Sequence, residues 1–150
     1  LSYNNLPFLL LMFIIFTQII MGAFVSGLDA GKIYQTWPLM GDAYFPNDIF
    51  LIKLKDLIEF NNHSLVQFYH RNLAYLIILY VICLSFFIYK RKLINLYKPL
   101  SILILFLVLQ AVLGIFTLLS NLNIYLASLH QITSVFLIFS ALNLYFFRAK

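Results

Sequence analysis

Charge is nearly absent from this chain. Charged residues make up 10% of its 150 positions and only five are acidic, against 63% hydrophobic residues and a mean hydropathy of +0.95. A water-soluble domain carries roughly 25% charged residues. The composition therefore excludes one and points to a chain embedded in a membrane. Cysteine is represented by Cys83 alone, which excludes an internal disulfide and leaves the redox compartment unread. In mid-membrane it is expected to be a small buried apolar residue. The net charge of +5 is no nucleic-acid signature, because the Lys and Arg residues cluster at the ends of apolar runs, where they act as topology signals.

What is present in quantity is long apolar sequence. Four runs, from Leu6 to Ser26, Leu65 to Tyr89, Leu100 to Leu119 and Ile124 to Phe147, are each long enough to cross about 30 Å of hydrocarbon. Backbone groups in lipid must be satisfied within the segment, so all four are expected to be helices despite their many Ile, Phe and Tyr residues. The first run is too long for a signal-peptide core. Leu1 in place of an initiator methionine suggests a fragment or processed product. The fold class that follows is an all-α integral membrane protein, one domain over residues 1–150, with four helices packed up-down-up-down.

The connections differ. A short basic turn with Lys90, Arg91, Lys92 and Lys98 joins the second and third helices, and the tail carries Arg148 and Lys150. By the positive-inside rule these face the cytoplasm, leaving the long loop between the first and second helices extracytoplasmic. Within that loop, Trp37-Pro38 and Phe45-Pro46 mark turns or rigid extended pieces. Ile49 to Phe60 alternates apolar and charged residues in a pattern that suits a short amphipathic segment on the membrane surface; an irregular loop reads equally well. His63, beside Asn61 and Asn62, reads as a solvated loop residue.

A short repeat joins the two halves of the chain. Gln18-Ile19-Ile20-Met21-Gly22-Ala23-Phe24 in the first helix matches Gln110-Ala111-Val112-Leu113-Gly114-Ile115-Phe116 in the third. The second and fourth helices each carry one histidine, His70 and His130, about six residues (~9 Å) from the same-side end. An intramembrane ionisable residue is by default a functional-site hypothesis, and a pair matched in depth suggests one shared ligand. Helices two and four can sit on one diagonal of the bundle, with Gly22 and Gly114 on the other at the same level. A flat macrocycle needs such clearance, and neutral imidazole is an axial ligand of heme iron. Zinc fits less well, because its sites ask for three or four ligands. Arg71 could pair with a heme propionate or snorkel to the headgroups. Plain interhelical hydrogen bonds, for Gln18 and Gln110 as well as for the histidines, and close packing at the glycines remain alternatives. So do a bis-histidine membrane cytochrome b and a non-heme transporter or assembly subunit with proton-relay histidines.

Several segments taken together resemble a known family. Gly22 to Gly31, Thr36-Trp37-Pro38-Leu39-Met40-Gly41, Leu65-Val66-Gln67-Phe68-Tyr69-His70-Arg71 and Leu129-His130-Gln131 are similar, in combination and order, to the C-terminal half of heme A synthases. The resemblance implies one half of an eight-helix enzyme that oxidises the C8 methyl of heme O to the formyl of heme A. It implies heme b as cofactor, held by His70 and His130 as axial ligands, with the catalytic residues in the N-terminal half; from the residues themselves, Gly22, Gly114 and Arg71 are added to the cofactor site. The implied partners are heme O, membrane lipid, that N-terminal half and heme O synthase, in a bacterial or mitochondrial inner membrane. Asn61 stands where the family often has glutamate, and no ligand role transfers to His63.

Overall fold

A computed structural model of the chain describes residues 5–49 and 59–149. Among these, four long helices appear: α1 (Leu6–Gly27), α2 (His63–Lys90), α3 (Tyr97–Leu119) and α4 (Ile124–Ala149). Each is long and apolar enough to cross a membrane, and the protein is an integral membrane protein. Pro7 sits in the first turn of α1, where its fixed φ and missing N–H are tolerated. The same tolerance lets α3 begin ahead of Pro99 rather than after it. The Asn62 side chain accepts from Leu65 N at 3.0 Å and starts α2 two residues earlier than the apolar run. His63, expected in the loop, is therefore the exposed first residue of α2. Asn121 and Leu122, both left-handed at φ 53° and 59°, reverse the chain tightly between α3 and α4.

Around the bundle α1 lies against α2 and α4, while α3 lies against α4 and α2; the α3/α4 seam is the most extensive and α2/α3 the least. Helices α2 and α4 thus occupy one diagonal, as the connection lengths predicted. The main buried cluster belongs to the end that carries the short basic turn. Phe8 and Leu11 of α1, Leu84 and Ile88 of α2, Leu100 and Leu103 of α3, and Ala141 and Leu144 of α4 meet there. Lipid tails are as apolar as these side chains, so close van der Waals packing rather than transfer from water holds this cluster together. Phe13, Phe16, Phe86 and Phe139 point outward, a face that only a membrane would solvate. At the opposite end, where the histidines lie, none of the cluster's residues is found.

The described part of the connection between α1 and α2 lies along α2, with a 3₁₀ turn over Ala30–Lys32 and an isolated Met40–Ala43 bridge. Gly31 packs closely there: a Cβ would stand 3.0 Å from Leu122 Cδ2 in the α3–α4 turn, so the leucine side chain would have to give by a few tenths of an ångström. This contact ties the two hairpins at the loop end. Most of the amphipathic segment expected over Ile49 to Phe60 lies outside the described residues; its last residue, Phe60, stacks on Phe24 at 5.6 Å.

Candidate functional site

The repeat seen in the sequence is a repeat of geometry. In the first hairpin, Gln18 Nε2 donates to the backbone oxygen of His70 at 3.1 Å. In the second, Gln110 Nε2 donates to the backbone oxygen of His130 at 3.0 Å. Each glutamine thereby spans from its helix to the histidine-bearing turn of its own hairpin partner. One turn further on comes the glycine. A Cβ at Gly22 would stand 3.2 Å from His70 Cε1, and one at Gly114 only 2.9 Å from His130 Cε1. The expectation that the glycines clear space for a macrocycle directly is refined by this. Their missing side chains make room first for the imidazole of their own hairpin. A single residue type at i and another at i+4 on one helix face thus holds the backbone of a histidine and seats its ring.

The two histidines stand on the helices of one diagonal, α2 and α4. Nδ1 of both histidines is buried without a hydrogen-bond partner, as is Gln18 Oε1. Buried polar atoms are nearly always paired; Gln67 Oε1 and Arg148 Nε are also unpaired, so it is the gathering of three such atoms on the repeated glutamine–histidine pairs that singles these out.

Arg71 has different company from that expected. Its guanidinium donates to the backbone oxygens of Tyr34 (2.8 Å), Thr36 (2.9 Å) and Leu39 (3.3 Å). Neither a propionate nor a lipid headgroup is needed to satisfy it. Gln67 Nε2 adds a second bond to Tyr34 O at 2.8 Å, Trp37 Nε1 donates to Tyr75 Oη at 3.1 Å, and Tyr44 Oη donates to Asn72 Oδ1. The loop from Tyr34 to Asp48 is therefore strapped to one face of α2, beside His70. The motif residues Trp37 and Pro38 belong to this strap, joined by a cis peptide.

Asp48 closes the strap. Its carboxylate accepts from Tyr34 Oη and Ser64 Oγ, both at 2.6 Å. Burial by itself would raise the Asp48 carboxyl, but these two bonds outweigh it and hold the group below the usual carboxylate range. The bond to Asp48, then burial, holds the Tyr34 phenol above its usual range. A lowered acid stabilises the native strap above its unfolded pKa, and that contribution fades as pH falls through the native value. A raised phenol stabilises it below its own unfolded pKa and fades as pH rises through the native one. The strap is expected to be tightest between about pH 4 and about pH 10. Hydrogen exchange of residues 34–48, corrected for intrinsic rates, should be flat across that window, and Asp48→Asn should remove its acid limb. An unchanged acid limb in the variant would assign it to another group.

Tyr34, Asp48, Ser64 and Thr133 were not singled out from sequence. Thr133 had a usable signal, a hydroxyl one turn after a membrane histidine; the strap residues had none, because only the fold brings them together.

Fold and site together define an integral membrane four-helix module made of two hairpins, each presenting one histidine at a common level. Residues 5–142 match the family described as Cytochrome oxidase assembly protein, and the chain belongs to that family. Relatives named Heme A synthase include those of Pelagibacter ubique (43% identical over 141 residues, 91% of this chain and 41% of that protein), Wolbachia pipientis wMel (42% over 137 residues, 91% and 37%) and Rickettsia felis (36% over 133 residues, 89% and 39%). The chain spans about two fifths of the length of these curated relatives. No solved structure matches it.

Proposed function

We propose that these residues form the heme-binding, C-terminal half of a heme A synthase, an eight-helix enzyme that oxidises the C8 methyl of heme O to the formyl of heme A. What supports the reading most is the twice-repeated glutamine–glycine–histidine module, one copy on each hairpin, with its two histidines on diagonal helices. The donor set fits an iron porphyrin. Two neutral imidazoles would suit iron as ligands, and the glycine beside each ring favours a seated imidazole over ordinary packing. His70 and His130 would hold heme b, which when bound supplies one-electron transfer. Gln18 and Gln110 hold the histidine turns, Gly22 and Gly114 seat the rings, and Arg71 fastens the strap beside them. The substrate site and catalytic groups belong to the other half. The positive-inside rule puts the basic turn in the cytoplasm and the strap on the opposite side.

Purified full-length protein is expected to show a Soret band of low-spin heme, and cells expressing it should accumulate extractable heme A. A folded preparation with no Soret band under normal heme supply would overturn the heme reading. A Soret band without heme A would leave the plain membrane cytochrome b.

A further inference from the structure

Among the differences between the two copies of the module, one bears on the glutamine. Thr133, three residues after His130, brings its hydroxyl to 2.5 Å from Gln110 Oε1. The same hydroxyl lies 2.8 Å from Leu129 O and 3.1 Å from His130 O. Gln110 donates to His130 O and, when the single Thr133 hydroxyl proton turns to it rather than to Leu129 O or His130 O, accepts from Thr133, so its amide is tied to α4 at both ends. Three residues after His70 stands Leu73, which has nothing to donate. Gln18 Oε1 is accordingly left buried and unpartnered. Its Nε2 lies not only 3.1 Å from His70 O but 3.4 Å from His70 Nε2, a bond it donates when the ring proton is on Nδ1. Among the described residues, no such hydrogen bond reaches the His130 ring.

We infer that Gln18, Gln110 and Thr133 are positioning residues that make the two histidines unequal, His130 being the fixed ligand and His70 the releasable one. This rests on the heme reading above. A pinned amide holds the His130 turn in one geometry, so little freedom is lost when its ring binds. An amide anchored at one end offers the His70 lone pair a second partner. Were iron held through Nε2, that nitrogen is the one Gln18 would occupy on its release. His70 would then yield its place to a small neutral ligand, while His130 would stay bound.

The test uses full-length protein carrying its heme, reduced with dithionite and mixed with carbon monoxide, whose binding reports release of an endogenous ligand. Leu73→Thr supplies the missing hydroxyl to Gln18 and is expected to slow carbon monoxide binding about tenfold, the scale of one interhelical hydrogen bond in a membrane. Thr133→Val unpins Gln110 and is expected to accelerate it and to change the low-spin electron paramagnetic resonance signature. A merely structural threonine would alter thermal stability and leave both readouts where they were. Leu73→Thr and Thr133→Val that each bind carbon monoxide at the parent rate, with a normal Soret band, overturn this inference alone. If Leu73→Thr does not fold, an unchanged rate in Thr133→Val overturns it by itself. A parent with no Soret band overturns the heme reading, and this inference with it.

Discussion

Gly114→Ala is expected to strip most of the heme from the full-length protein while leaving its helices intact. The added Cβ would stand 2.9 Å from His130 Cε1, closer than a methyl carbon and a ring carbon can approach without displacement. The ring has little room to recoil, because the His130 turn is held by Gln110 at 3.0 Å and Gln110 in turn by Thr133. Overpacking of this kind costs about 1–3 kcal/mol. Concentrated on the ring that must bind, it corresponds to about a 10- to 100-fold loss of heme retention. Gly22→Ala is the internal control. Its Cβ would stand 3.2 Å from His70 Cε1, and the Gln18 amide beside that ring is tied at one end only, so the loss should be under about tenfold. Heme stoichiometry of the two variants against the parent decides the matter. Equal retention in Gly114→Ala and the parent would mean that the glycine serves helix packing and not the histidine.

Arg71→Ala should open the strap without unfolding the bundle. Three backbone oxygens lose their donor at once, those of Tyr34, Thr36 and Leu39. Water can replace the more exposed bonds, and Tyr34 O keeps its bond from Gln67. The net cost is therefore about 2 kcal/mol rather than the sum of three charge-assisted bonds. That corresponds to about 30-fold faster opening of residues 34–48, read by hydrogen exchange or by limited proteolysis from the loop side. Arg71→Lys should fall between, because an ammonium point charge cannot reproduce a planar fork that meets three carbonyls. Protection of the strap at the parent level in Arg71→Ala would show that Asp48 and the aromatic contacts hold it unaided.

Both results depend on pairings that vary in how far they could be foreseen. The Gln18/Gly22 and Gln110/Gly114 repeat was visible as letters, and so was the matched depth of His70 and His130. What the repeat does was not visible, since a glycine at helical spacing from a glutamine serves helix packing as readily as it seats a ring. Arg71 illustrates the opposite case. A cation at the loop end of a membrane helix pairs with whatever acceptors the loop carries to it. Those acceptors are main-chain oxygens, which every residue possesses and no sequence distinguishes. The amphipathic segment expected from Ile49 to Phe60 lies mostly outside the described residues.

By itself the sequence determined the order and approximate extent of the four long helices, because apolar runs of this length in lipid have no other way to satisfy their backbone. Connection lengths then set which helices are neighbours and which lie on a diagonal. Only the tertiary structure decided which atom each polar side chain meets: that each glycine backs onto its own hairpin's histidine, that Arg71 binds the strap, and that Thr133 pins one glutamine while Leu73 leaves the other free. Hydrogen bonds are short and directional, so rotations and shifts too small to alter any hydropathy pattern determine which of them form.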